Sequence, residues 1–258
     1  MIEKRKIIRV GLKERKRVEQ EDLVAIDKPI NLFINDKHFV TLFASPKNIR
    51  ELVVGYLIGE GVISSLDDIE RVSVKGVKAD VRTNAGIRPE AAKFLRVIPT
   101  ACGASEDVLE FLGKSSVSKL KSAAKFMAEN ISNAFKSLHL ASKVFRQTGG
   151  AHAAALFSRK GELWFCMEDV GRHNAVDKVV GRGLLEGVDF SSSFLASSGR
   201  LSADIVIKCA RARIPLVASR AAPLKSGILA AEMAGLTLVG FVRGPRLNLY
   251  VHPERVKF

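Results

Sequence analysis

The chain has 258 residues, 47% hydrophobic and 26% charged, enough apolar material for one large core or two modest ones. No apolar run reaches the roughly 18–20 residues that a membrane-spanning helix needs, and three cysteines in all do not suggest a disulfide framework. The formal net charge of +14 points to anionic partners, whether nucleic acid, a phosphorylated ligand or an acidic protein.

The amino terminus, MIEKRKIIRVGLKERKRVEQED, carries Lys4, Arg5, Lys6, Arg9, Lys13, Arg15, Lys16 and Arg17. It lacks the apolar stretch and small-residue cleavage site of a secretory signal, so a cytoplasmic protein with a solvated basic tail is expected. Nucleic acid is the weaker partner class, because aromatics are 7% and scattered, with one Trp and no visible stacking platform. Residues 22–43 alternate short apolar runs with turn residues and read as two or three strands. In SPKNIRELVVGYLIGEGVI, Ser45 suits the N-cap of a helix and Pro46 its first position. Ile49, Leu52, Val53, Tyr56 and Leu57 share one face of that helix, and Gly59 and Gly61 mark its end.

Residues 69–98 read as strands broken by a turn-rich stretch around NAGIRPE. PTACGASED follows, with Cys102 on a loop and Ser105 able to cap a helix through EDVLEFLG. Glu106 and Asp107 would lie in its first turn, where the helix dipole favours acids. Residues 114–133, rich in Ser, Lys and Ala, read as a helical connector. The composition shift there suggests two domains, 1–116 and 117–258.

From about residue 137 helices and strands alternate, the pattern of an α/β layer architecture. A helix SLHLASKVFRQ ends at Gly149-Gly150, and AHAAALFS and ELWFCME read as neighbouring strands turning at Arg159-Lys160-Gly161. A helix from about His173 to Leu185 follows, and SSFLAS, PLVAS and LTLVGFV read as strands separated by the helices SADIVIKCARAR and PLKSGILAAEMAG.

These strands are followed by arginine. Gly171-Arg172-His173 comes after FCMEDV, Ser198-Gly199-Arg200 after FLAS, Arg220 after LVAS, and Arg243-Gly244-Pro245-Arg246 after VGF. In open α/β sheets ligands settle outside the carboxyl ends of the strands. Glycine permits close backbone approach, a helix start offers free N–H groups, and arginine adds a planar fork that suits phosphate. Loops gathered on one side would form a pocket for a phosphorylated, nucleotide-like ligand, although none matches a Walker or dinucleotide fingerprint.

His173 and Asp177 lie four apart, beside Asn174 and Lys178, on what reads as the polar face of their helix. Two readings stay open: a surface ion pair, or a histidine held in one tautomer by the carboxylate. His152, beside the Gly-Gly break, suits a structural role and a pocket role equally. Zinc chemistry of the deaminase type is rejected. His152 is followed by Ala153-Ala154 with no general-acid glutamate, and Pro99 by a single cysteine. Cys166 and Cys209 fall in apolar contexts and read as small buried hydrophobes.

TGGAHAAAL at 148–156, EDVGRHNAVDKVVG at 168–181, SGRLSADIVIKCARARIPLVAS at 198–219 and GLTLVGFVRGPRLNLY at 235–250 together resemble the FdhD family of formate dehydrogenase accessory proteins, as does the 45–63 segment. The resemblance implies a cytoplasmic sulfur carrier. It would take persulfide sulfur from a cysteine desulfurase and pass it to the bis-molybdopterin guanine dinucleotide, with molybdenum or tungsten, of the formate dehydrogenase catalytic subunit. It also implies a cytidine-deaminase-like α/β/α layered domain without the zinc site, plus a smaller amino-terminal α+β domain.

The family's cofactor-binding segment maps onto Phe241, Val242, Arg243, Gly244, Pro245 and Arg246, and the first cysteine of its C-x-x-C loop onto Cys102. The second cysteine position is Ser105 here. One cysteine can still carry a persulfide, but cannot close a local disulfide. In the sulfurtransferase reading Cys102 carries the sulfur, while His173, Arg200, Arg243 and Arg246 bind the guanine-dinucleotide phosphates. The other reading is a cofactor-binding chaperone of the same family that has lost the transfer step. No protein-bound metal is expected on either reading, and a homodimer is left open.

Overall fold

The computed structural model describes residues 1–84 and 117–258. Cys102, Ser105, the expected helix through EDVLEFLG and the last part of the 69–98 strand region lie outside the described residues.

The basic amino terminus is a hairpin rather than a tail. β1 (Ile2–Gly11) and β2 (Lys16–Ala25) pair antiparallel from Ile2↔Ala25 to Gly11↔Lys16. The charges conceal a strand pattern in which Ile7, Ile8, Val10, Val18 and Val24 supply β-branched positions. Opposite charges face each other across the ribbon, Arg5 opposite Asp22 and Lys6 opposite Glu21.

β3 (Lys28–Ile34) and β4 (Lys37–Ala44) form a second hairpin whose turn residues Asn35 and Asp36 have φ of 47° and 65°, as a tight hairpin turn requires. With β5 (Ile69–Lys75) and β6 (Lys78–Thr83) they make a four-stranded sheet ordered β4-β3-β6-β5. Helix α1 (Ile49–Gly59) buries Ile49, Leu52, Val53, Tyr56 and Leu57, the expected face. Its start differs from expectation. Asn48 is the N-cap residue, and Ser45 is turned inward, its N–H donating to Asp169 Oδ2 at 3.0 Å and its Oγ accepting from Val170 N at 3.2 Å. The Val170 N–H, not a helix N–H, takes the serine hydroxyl oxygen, and the buried Asp169 carboxylate holds its backbone in place.

The expected connector helix is likewise displaced. Residues 117–125 run without regular structure to the short β7 (Phe126–Met127), and the helices are α2 (Ala128–Ala141) and α3 (Lys143–Thr148). They part at Ser142, whose hydroxyl donates to Leu138 O, while the Glu168 carboxylate accepts from the N–H groups of Val144 and Phe145.

The remaining strands are β8 (His152–Ser158), β9 (Leu163–Asp169), β10 (Ser193–Ser197), β11 (Leu216–Ser219), β12 (Thr237–Arg243), β13 (Arg246–Val251) and β14 (Val256–Lys257), which pairs with β7. Helices α4 (Arg172–Leu185), α5 (Ala203–Arg211) and α6 (Lys225–Ala234) alternate with them. Six strands form a mixed sheet ordered β13-β12-β11-β10-β8-β9. Its alternate side chains enter two different apolar layers. Ala154, Leu156, Leu195, Val217 and Leu238 pack with α1, α4, α5 and α6. Ala153, Ala155, Phe157, Phe194 and Val239 pack with α2. The fold is thus mixed α/β, with helices on both faces of the central sheet.

α1 and α4 cross at very close range. A Cβ on Gly55 would fall 1.8 Å from the backbone oxygen of Asp177, and one on Gly181 would fall 1.9 Å from that of Glu51. Two glycines let the helix backbones touch, and this contact ties the amino-terminal part to the central sheet.

A cationic rim at the carboxyl ends of four strands

β10, β11 and β12 are mutually parallel, and β9 reaches the same direction through two antiparallel steps by way of β8. The carboxyl ends of β9, β10, β11 and β12 therefore share one edge of the sheet. Each carries an arginine: Arg172, Arg200 and Arg220 come after β9, β10 and β11, and Arg243 is the last residue of β12. The fourth corner differs from the expected kind. Arg243 pairs with Arg246 across a hairpin turn into β13, so no helix start accompanies it.

Strand-end serines hold the corners. Ser197 Oγ accepts from Gly199 N at 3.1 Å. Ser198 Oγ accepts from Ala153 N at 3.0 Å and lies 3.1 Å from His152 Nδ1, which brings β8's first residue to the same edge. Ser219 Oγ donates to Gly199 O at 2.6 Å and accepts from Ala221 N at 3.0 Å, fastening the second corner to the third. Phe241 N donates to Ala221 O at 3.2 Å, fastening the third to the fourth.

The first corner rests on a buried hub. Asp169 ends β9 and is fully buried. Besides Ser45 N it accepts from Gly171 N, Asn174 Nδ2 and, at 2.5 Å, Lys178 Nζ. Lys178, also fully buried, donates further to Ser45 O at 3.0 Å. Burial holds its pKa below the ordinary lysine range, with Asp169 opposing the fall. One residue earlier Asp177 points to Lys208, with Oδ1 and Oδ2 at 2.8 and 2.9 Å, and Glu60 joins it at 2.9 Å. Burial works against the Lys208 charge, but the two carboxylates outweigh it and raise its pKa.

Both sequence readings of His173 with Asp177 are therefore corrected. Neither Asp177 nor Lys178 is on a surface, and His173 has other neighbours. Its Nε2 lies 3.4 Å from Ser202 Oγ and 3.9 Å from Asp204 Oδ2. Burial, reinforced by Arg172 and Lys208, pushes its pKa down to about 4, so the imidazole is neutral at pH 7. His152 is lowered as well, by burial and then by Arg172.

Arg172 is the residue the sequence reading passed over when it chose His173 and Arg200 from these corners. Its side chain packs against Gly199, where a Cβ would fall 2.9 Å from its own Cβ. Its Nε is buried without a hydrogen-bond partner among the described residues. Burial and then Arg200 lower its pKa. Two guanidinium groups that repel across one corner, one with an unmet donor, form an arrangement an anion would relieve. The available signal was Gly171-Arg172 itself, an arginine one glycine past a strand end, as at Gly199-Arg200.

The other expected site residues are placed unequally. Arg200, Arg243, Gly244, Pro245 and Arg246 are exposed. Arg243 lies over the Phe241 ring, 5.5 Å from its centroid. Val242 is buried in the layer beneath α2, so its side chain faces the core. Burial pushes the thiols of Cys166 and Cys209 up to about 12, so both stay protonated and inert at neutral pH.

Residues 25–257 match the profile of the FdhD/NarQ family. The chain belongs to this family. It is 40% identical over 247 residues to the sulfur carrier protein FdhD of Methanothermobacter thermautotrophicus, covering 94% of each chain. To the protein of the same name from Sulfolobus acidocaldarius it is 41% identical over 254 residues, covering 98% of each. Among solved structures it is similar to a candidate formate dehydrogenase accessory protein of Desulfotalea psychrophila, with a TM-score of 0.82, 29% identity and 99% of both chains covered. Among the described residues no helix is long and apolar enough to cross a membrane.

Proposed function

We propose that this FdhD-family protein is a cytoplasmic sulfur carrier for formate dehydrogenase, with Cys102 as the carrier residue and the arginine rim as the seat of the acceptor. The Cys102 thiolate attacks the outer sulfur of a cysteine desulfurase persulfide. One S–S bond forms as another breaks, and the desulfurase cysteine leaves as thiolate, so no outside oxidant is needed. The acceptor is the bis-molybdopterin guanine dinucleotide of the formate dehydrogenase catalytic subunit, handled as substrate. Its phosphates would lie against Arg172, Arg200, Arg243 and Arg246, with neutral His173 donating or accepting a hydrogen bond beside them. On this reading the amino-terminal part, 1–116, supplies the cysteine segment. The part from 117 to 258 supplies the rim, on a cytidine-deaminase-type layer without zinc ligands.

The observation that carries the reading is the unmet donor of Arg172 beside Arg200, at the edge where four strand ends meet. Two measurements test it. Incubation with desulfurase and cysteine should add the mass of one sulfur atom to the wild type and none to Cys102→Ser. Arg172→Ala combined with Arg200→Ala should weaken GDP binding by about tenfold or more. Sulfur loading of Cys102→Ser at the wild-type level would overturn the carrier role, and unchanged GDP affinity would overturn the rim. A wild type that binds GDP but takes up no sulfur would identify the chaperone reading, in which Ser105 replaces the second thiol.

A further inference from the structure

The edge of the central sheet opposite the rim holds a cavity of about 800 Å³. It lies where β8 ends and where β10 and β11 begin, so Arg159, Ser191, Ser192 and Arg213 stand on its wall. The carboxyl end of α1, the last turn of α5 and the extended segment 117–124 complete it. That segment is held in place by Leu120 N donating to Ala234 O at 2.8 Å and Arg255 Nε donating to Ser122 O at 3.2 Å. The five residues of β10 separate this edge from the rim by about 16 Å.

Lys119, Lys121, Arg159, Arg211 and Arg213 bring five cationic side chains to the cavity. Glu60 is the one carboxylate among the described lining residues, and Lys208 already engages it at 2.9 Å.

A second, independent observation concerns Arg213. Four helices end in the same capping motif, in which the residue beyond the cap adopts a left-handed conformation. At α1, α4 and α6 that residue is Gly61, Gly187 and Gly235, with φ of 73°, 68° and 67°. The motif of α5 has the same bonds, Arg213 N to Ala210 O and Ile214 N to Cys209 O, both 2.9 Å. There the left-handed residue is Arg213, with φ of 61°. A side chain is costly in this conformation and glycine is not. Among the described helices that end in this motif, α5 alone carries a side chain in that position, and Arg213 stands on the cavity wall.

We propose that this cavity is a second anion site, distinct from the rim, and that it takes a di- or triphosphate, free or borne by a nucleotide. Guanidinium forks and the Ser192 hydroxyl suit tetrahedral phosphate oxygens, while the Ser191 hydroxyl already donates to Asp189 Oδ2 at 2.9 Å. The volume lies within the usual range for small-molecule sites.

The test is calorimetric titration of the full chain with inorganic pyrophosphate at low salt, followed by GDP competition. Arg159→Ala combined with Arg213→Gly should weaken one class of pyrophosphate site by about tenfold or more. Because glycine relieves the left-handed position, the same variant should keep or raise Tm, which separates lost binding from lost folding. Arg200→Ala with Arg243→Ala should leave this class intact. Lys16→Ala with Arg17→Ala, on the distant hairpin, should leave it intact as well. Displacement by GDP would identify a nucleotide-borne ligand, and failure of GDP to displace would identify the free anion. Absence of pyrophosphate binding, wild-type binding by the Arg159/Arg213 variant, or an equal loss in the hairpin variant would overturn the proposal.

Discussion

Helix α4 and the β1–β2 hairpin are both dense in charge, yet they use it in opposite ways. In the hairpin the ion pairs Lys4–Glu21 and Arg5–Glu3 stand in solvent, with every partner more than 40% exposed. In α4, Asp177 and Lys178 are buried, each paired with a partner from elsewhere in the fold, and together they fix the corner from which Arg172 and His173 project. Solvated pairs contribute little to stability, whereas a buried pair becomes indispensable once one partner is removed. Charge number therefore says little about function here, and charge depth says a good deal.

The strongest way to break the α4 side is steric. Gly181→Ala puts a methyl group into the backbone of α1, and no side-chain motion can relieve a 1.9 Å contact with a carbonyl oxygen. We expect a loss of more than about 4 kcal/mol and little folded protein, read by chemical denaturation. Wild-type stability in this variant would mean that α1 and α4 are not in backbone contact.

Lys178→Met comes next. It leaves Asp169 buried without its cation, although three N–H donors remain on the carboxylate. We expect a cost of about 3 to 5 kcal/mol by denaturant titration. Adding Asp169→Asn should recover part of this, since the residual buried charge is then gone. A double variant no more stable than Lys178→Met would argue that the ammonium matters for its hydrogen bond to Ser45 O rather than for neutralising Asp169.

His173 sharpens the comparison at the rim itself. Its folded pKa of about 4 lies below the ordinary 6.5, so the unfolded chain takes up a proton first as pH falls. The histidine's contribution to stability is complete above pH 6.5 and is lost as pH drops towards 4. Tm should therefore fall across this window by a few degrees, and His173→Gln should flatten part of the slope. Arg172 and Lys208 act on this group as fixed charges, and Asp204, Glu60 and His152 also face it, so the titrations of these last three supply the remainder. An identical slope in the variant would show that His173 is not the titrating group.

The α/β alternation was legible in the sequence because four of the six strands of the central sheet, β8, β10, β11 and β12, are short apolar runs closed by Ser or Arg. That the arginine corners share one edge was only a condition in the sequence, and it rests on the parallel pairing of β10, β11 and β12 and the two antiparallel steps to β9. Three features were not legible, each for a physical reason. The hairpin's alternation of Ile and Val is masked by lysine and arginine, which read as a tail. Asp177 and Lys178 look like a polar helix face, and only the arrival of Lys208, Ser45 and Asp169 from distant positions shows them to be interior. Ser45 has the composition and setting of an N-cap, and nothing local reveals that the N–H of Val170, more than a hundred residues away, claims its hydroxyl oxygen. In the last two cases long-range burial overrode a sound local preference.

The smallest expected effect lies on the hairpin side. Lys4 and Glu21 are 2.8 Å apart, but their side chains are 70% and 58% exposed, so water screens the pair and both long chains lose freedom in making it. Lys4→Ala should change stability by less than about 1 kcal/mol, and a double-mutant cycle with Glu21→Ala should give a coupling near zero. Because, among the described residues, the hairpin's ladder joins β1 to β2 alone and it touches the body along β2, GDP affinity at the rim should be unchanged in the same variant. A coupling as large as that of Asp169 with Lys178 would mean that the hairpin is covered by a partner in solution, and depth would then no longer separate the two regions.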